Sequence, residues 1–497
     1  VNRTTVSLIA VAAALAAVTG FASVNAPDGD DDGAKAAKRL PVERTSLLCP
    51  EPSTSDLAET SYTAFTPSSG GAGSGGKAEL LPAPKELTDA PQGGKGKHKD
   101  TKPFLSQKAP GKPVTGEESG AEAPALVGRA DGTLAPGWTV QQTTTVSAGS
   151  GRGVQGANCV APDTEFWFPG ASTAKGRSDY IHLTNPDDSA AVVDVELYGP
   201  DGGIKADVGQ SIQIQPHSSV PVLLSTLTGK PHTNLAMHVV ARSGRVAAAV
   251  HSSDDKLGGD WLPASTDPAP SLVLPGIPED ATSVRLVAFA PGADDADLKV
   301  RLASPTGPIT PAGHETLHVK AGMTAAIDLG DVTKGEAGSL LLTPTEKAVP
   351  VVAALRVTRG KGDKQETAFI PATAPVGDRA TAADNRAKGS TLSLVAPGKT
   401  ARVKVTASPG AEAGDPVTKT YTVKGGTTLS VAPPVPSGLK GPYALTVEPE
   451  SGGPVHAART LELPENGIPM FTIQTLPDDR GTVSVPEAEQ DLEVLQK

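Results

Sequence analysis

The sequence predicts an all-β chain built from tandem antiparallel β-sandwich domains, and three observations carry that expectation. The first is internal repetition: YIHLTNP ending at Pro186 returns as VRLVAFAP ending at Pro291 and as TLSLVAP ending at Pro397, with a weaker copy, SYTAFTP, ending at Pro67. An offset of roughly 105 residues makes the unit a domain and not a short solenoid repeat. The second is period-two alternation of apolar and polar residues in short β-branched runs, the pattern of strands with one buried face. The third is composition: 54 Gly and 46 Pro among 497 residues, with only 3 % aromatics, imply frequent turns and small cores.

Taken in order, residues 6–24 form an apolar, Ala-rich run without an ionisable side chain, preceded by a single charge at Arg3. A run of about nineteen residues suits a secretory segment, cut after Ala22, and equally a retained N-terminal membrane anchor. The expectation for 1–26 is therefore an apolar helix that is either a signal peptide or a transmembrane anchor. Both readings place the remainder outside the cytoplasmic membrane, because no second run of that length follows. Residues 27–41 are charged and aperiodic and read as a disordered stalk.

The first sandwich copy is expected over 42–172, degenerate and interrupted by a disordered Gly-, Ser-, Pro- and Lys-rich insertion at 67–122. The two cysteines of the chain, Cys49 and Cys159, flank that insertion in the apolar runs SLLCP and ANCVAP. An even count in an exported chain favours a disulfide between them. Three full copies follow at 173–266, 267–373 and 374–476. In these, Val193, Val195 and Leu197, then Leu298, Val300 and Leu302, then Val403 and Val405 alternate with polar residues. Downstream, IQIQPHSS (212–219), LHVKAGMT (317–324) and YTVKGGTT (421–428) correspond, and a late strand leads into WLPAS from Trp261 or FIPAT from Phe369. Residues 477–497 read as a loose acidic tail. Seven or so short strands per ~100 residues, with turns every ten or so, is the pattern of an immunoglobulin-like sandwich, although the Cys…Trp…Cys core is absent. Short Pro-rich links such as STDPAPSLVLP predict that the copies form a semi-rigid rod.

The succession of an export segment, SLLCP, a Gly/Ser insertion, NCVAPDTEFWFPGAS and DYIHLTNPDDSAAVVDVELYGPDG resembles a family of actinobacterial secreted proteins known only as a domain of unknown function. The resemblance implies export and β architecture. It implies no activity and no catalytic residue.

The net charge of −11, with one basic cluster at 95–102, argues against nucleic acid as a partner, since phosphate backbones demand a concentrated basic face. HETLH (314–318) matches a zinc-protease pattern that requires two His one helical turn apart. The repeat puts Leu317 and His318 opposite Ile212 and Gln213 in a strand, where residues four apart lie ~13 Å from each other. STAK (172–175) has SxxK spacing without the KTG partner. DGDDDG, from Asp28, lacks the acidic twelfth position of a calcium loop. The sequence thus assigns no catalytic residue, metal or cofactor. Two places suit ligand contact: Trp167 beside Asp163 and Glu165, where one of three consecutive aromatics must face outward, and the loop holding Asp254, Asp255, Asp260 and Trp261. The alternative for Trp261 is a strand residue packed in the core. The function expected is a non-catalytic scaffold or binding protein of the bacterial cell envelope, secreted or anchored, with a cell-wall polymer or envelope protein as partner. The rivals are a cell-wall glycan-binding module and a hydrolase with an unfamiliar site.

Overall fold

The computed structural model describes residues 38–68, 75–83, 102–410 and 414–485. The apolar N-terminal segment, the DGDDDG run, most of the 95–102 basic cluster and residues 486–497 lie outside them. The described chain is nearly all β, and no helix in it is long and apolar enough to cross a membrane.

Two units are distinguished, one holding the two ends of the described chain and the other spanning Val42–Gly481. In the first, Lys38–Pro41 pairs antiparallel with Thr482–Val485, with Leu40 opposite Val483. Both stretches had the look of unstructured stalk and tail. The β-branched TVSV run, with Arg39 Nη2 donating to Thr482 Oγ1 at 3.1 Å, is enough to pair them.

The large unit contains four sandwiches of one topology. Copy one runs through Arg44–Cys49, Ala58–Phe65, Ala78–Ala83, Leu105–Gln107, Val114–Ser119, Ala125–Asp131, Thr139–Val146 and Gly153–Asn158. Copy two begins at Glu165–Ala171 and ends at Gly258–Leu262; copy three runs from Leu272–Ile277 to Glu366–Pro371; copy four from Ala380–Asn385 to Phe471–Thr475. In each, one sheet has the order first, sixth, third, fourth, and the other the order fifth, second, seventh, eighth; in copies two and three, two short strands share the fourth place. All pairings within these sheets are antiparallel.

The sandwich architecture and the alternation are as predicted. Val193, Val195 and Leu197 lie in the core of copy two, Leu298, Val300 and Leu302 in that of copy three, and Val403 and Val405 in that of copy four. The strand order is not the immunoglobulin one, in which strand pairs ABED and CFG make up the sheets. Here the first strand joins the sixth and the seventh joins the second. Alternation and turn spacing report how many strands there are and which face is buried, and connectivity is invisible to both.

Three further expectations are corrected. The segment 67–122 contains the strands Ala78–Ala83, Leu105–Gln107 and Val114–Ser119, so copy one is complete; residues 69–74 and 84–101 lie outside the described residues. The boundary expected at 172 moves back, because Glu165–Ala171 pairs with Leu235–Ser243 as the opening strand of copy two. FWFPGAS corresponds to LVLPGIP at the start of copy three, both bulged beside the Pro-Gly step. Finally, the copies do not form a rod but pack into one compact unit.

That packing is cyclic. One copy's first-strand sheet lays its outer face on the outer face of the next copy's second-strand sheet. Leu48, Ala125 and Val127 of copy one meet Ala247 of copy two; Trp167 and Ala236 of copy two meet Phe289 and Val352 of copy three. Val273, Ala303 and Leu341 of copy three meet Val395 of copy four, whose Ala383 and Ala444 return to Phe65 of copy one. A heterologous contact repeated with a closing rotation makes a ring. At its centre the four eighth strands pack in succession, one on two, two on three, three on four and four on one.

Candidate functional site

The two cysteines are joined, Cys49 to Cys159, with Cα atoms 4.4 Å apart. The bridge ties the opening strand of copy one to the residue that follows its last strand, and both cysteines belong to that copy's core. Among the described residues no group of His, Cys, Asp and Glu is placed to hold a metal ion. His318 lies in the strand Thr316–Val319, as the repeat predicts, facing Asp297 with Nδ1 2.8 Å from Oδ1. Ser172 of STAK is buried; its N–H donates to Asp179 and its hydroxyl to the His232 carbonyl.

The aromatic expected to face outward does leave the core of its own sandwich, for Phe166 and Phe168 are in that core and Trp167 is not. It is covered nonetheless. Only 6 % exposed, Trp167 sits in the seam with copy three, its ring 5.6 Å from that of Phe289, and stacks on His238 at 3.7 Å. Glu165 accepts hydrogen bonds from Trp167 Nε1 and His238 Nε2, and Asp163 is exposed beside them. The acids remain on the surface, while the aromatic plane they were to flank is spent on the seam.

The residues of the second predicted loop separate as well. Trp261 is 2 % exposed, in the strand Gly258–Leu262. Asp255 is exposed, Asp254 half-buried with Oδ1 accepting the N–H groups of Lys256 and Leu257, and Asp260 fully buried. Asp260 reaches the ring's centre, where its carboxyl accepts the Gly156 N–H of copy one at 3.0 Å and the Thr472 hydroxyl of copy four at 3.0 Å. Burial pushes its pKa up, and Glu366 adds to the rise. Glu366 of copy three is buried at the same centre and pushed up to about 8. Arg459, also fully buried, is pulled down to about 10 by desolvation. Hydrogen bonds from Asp260 tie copies one, two and four together, with Glu366 of copy three buried beside them.

Two solvent-open clefts lie elsewhere, each at a seam. One, of about 370 Å³, is shared by copies one and two and is lined by Glu51, Ser53, Ser150, Tyr180, His182 and His251. Tyr180 is 37 % exposed and gives the groove an accessible ring. Trp261 packs beneath, its ring 5.3 Å from that of His182 and 4.9 Å from that of His251. Burial lowers the His251 pKa to about 4, so at neutral pH its uncharged imidazole donates Nε2–H to Gln155 Oε1 of copy one, 3.0 Å away. The second cleft, of about 310 Å³, is shared by copies two and three and is lined by Lys175, Arg177, Arg285 and Arg356 around Phe369, with Asp254 at its edge. Sequence reasoning missed both clefts. Each is made by two copies some hundred residues apart, a separation over which local sequence pattern carries no signal.

Residues 114–434 match the model of a family of unknown function (DUF5719). The match runs from the fifth strand of copy one through the fifth strand of copy four. No curated protein matches the chain.

Proposed function

We propose that this chain, which belongs to that family, is an exported, non-catalytic binding protein of the bacterial cell envelope, a closed ring that presents ligand grooves at its seams. The observation that carries the reading is the groove between copies one and two. It joins an accessible Tyr180 ring to the hydroxyl groups of Ser53 and Ser150 and to two His side chains, the mixture of flat apolar surface and polar groups that suits a sugar. Glycan binding in envelope assembly is therefore the specific form of the proposal. The disulfide supports an oxidising compartment outside the cytoplasm. A hydrolase would need its displaced acids where a substrate can reach them, yet Asp260 and Glu366 are buried and line neither cleft.

The test is sedimentation of the purified chain with isolated cell-wall sacculi at low and high salt. Retention at both salts, weakened about tenfold by Tyr180→Ala, is the expected result. Absence of retention, or retention that disappears at high salt and ignores Tyr180→Ala, would remove the glycan reading.

A further inference from the structure

The cleft between copies two and three is cationic in a chain whose net charge is −11, so its sign is a local arrangement and not a by-product of composition. Its basic groups are held in place by different means. Arg177 forms a two-point pair with Asp179, Nε to Oδ1 at 3.0 Å and Nη2 to Oδ2 at 2.7 Å, and its Cζ lies 5.8 Å from the centre of the Phe369 ring. Arg285 donates Nε–H to Asn234 Oδ1 at 2.8 Å, leaving its other nitrogens directed elsewhere, one of them 4.0 Å from Asp328.

Arg356 is different. It stands directly opposite Arg285 in the strand register and opposite Phe369 on its other side. No hydrogen bond or ion pair holds its guanidinium among the described residues, and burial lowers its pKa, with Arg177 and Arg285 pressing the same way against Asp254 and Asp179. Like charges directly opposite on neighbouring strands are destabilising, and Arg356, half-buried on the wall of the cleft, keeps its N–H groups free for a ligand. Lys175 adds a fourth positive charge to the wall, and Asp254 is the one carboxylate that lines it. Phe369 lies buried beneath them.

We propose that this cleft is a binding site for a phosphate group, either as the free ion or as the terminal group of a small organic molecule. Guanidinium groups present several N–H donors in a planar fork that matches phosphate oxygens, and four basic groups, with Arg177 paired to Asp179 and Arg285 near Asp328, leave a net positive wall that suits an oxyanion. A volume of about 310 Å³ admits a sugar-phosphate-sized ligand. The inference uses neither the first groove nor the envelope location, so it stands or falls separately from the glycan reading.

The experiment is calorimetric titration of the full chain with inorganic phosphate, glucose 1-phosphate and acetate, alongside thermal melting in each. Saturable binding of phosphate, binding of glucose 1-phosphate at least as tight, and none by acetate are expected. Arg356→Gln should weaken phosphate by at least about tenfold and abolish the rise in melting temperature that phosphate gives the wild type. In the absence of ligand, Arg356→Gln should melt no lower than the wild type, because it relieves a like-charge pair; Lys175→Gln, at an exposed position, gives a second variant with a smaller loss of affinity. Tighter glucose 1-phosphate than inorganic phosphate identifies the organic phosphate as the ligand class, and equal affinities identify the free ion. No saturable phosphate binding, acetate binding as tightly as phosphate, or unchanged affinity in both variants would overturn the proposal.

Discussion

Glu366 shows how much of this protein's chemistry is structural. Its residue is 1 % exposed, neither carboxyl oxygen has a hydrogen-bond partner among the described residues, and burial raises its pKa from 4.5 to about 8. Room for it exists only because Gly153 of copy one and Gly258 of copy two lack side chains, a Cβ at either coming within 2.8 Å of the carboxyl. Gly258 also has φ of +74°, where other residues are strained. Since the folded pKa lies above the unfolded one, the unfolded chain loses its proton first, and stability falls as pH rises from 4.5 to about 8. Glu366→Gln should therefore match the wild type in urea denaturation at pH 4 and exceed it at pH 8 by on the order of 2–4 kcal/mol; an equal gap at both pH values would show that the charge is not the cause. Nothing in the sequence singled out Glu366, because one acid in a strand carries no pattern. Trp167 was half legible: alternation correctly turned it away from the core of its own sandwich, but what then covered it came from Phe289, 122 positions further along.

Among the elements, second strands were the most legible. SYTAFTP, YIHLTNP, VRLVAFAP and TLSLVAP all occupy the same place in the ladder, in Ala58–Phe65, Arg177–Thr184, Ser283–Phe289 and Ser390–Ala396, because each must bury alternate residues and stop at a proline. First strands were less legible, since FWFPG and WLPAS both place an aromatic just ahead of a proline yet serve as first and eighth strands. The disulfide was legible from compartment logic alone, and its energetic weight follows from where it sits. It closes a loop of 110 residues that contains nearly the whole of copy one, including the 84–101 stretch outside the described residues. Chain entropy then gives about 4–5 kcal/mol, a large part of a domain's stability. Reduction, or Cys49→Ser with Cys159→Ser, should lower the urea midpoint accordingly, and copy one should become the first region to lose protection from hydrogen exchange. An unchanged midpoint would mean that the seams to copies two and four hold copy one by themselves.

For the molecule as a whole, closure into a ring changes what a local defect does. In a rod, damage to one sandwich stays with that sandwich and its neighbours, as in other chains of stacked repeats. In a ring, each of the four seams depends on the rotation set by the other three, and the axis strands of copies one, two and four share hydrogen bonds, Gly156 N–H to Asp260 and Thr472 Oγ1–H to Asp260, with the axis strand of copy three packed between its neighbours. Period-two patterning could not reveal this, because it labels the outer sheet faces as wetted and is silent about a second layer of burial by another copy. Phe289 tests the distinction: it is 1 % exposed and belongs to the seam cluster of copies two and three, outside the core of its own sandwich. Phe289→Asp places an unpaired charge in that seam, at a cost of several kcal/mol. Hydrogen exchange should then speed up in Gly153–Asn158 and Phe471–Thr475, in copies that hold no part of that seam, because losing one seam releases the axis. Faster exchange confined to the strands of copies two and three would show that the copies are stable singly and that the ring is only their packing.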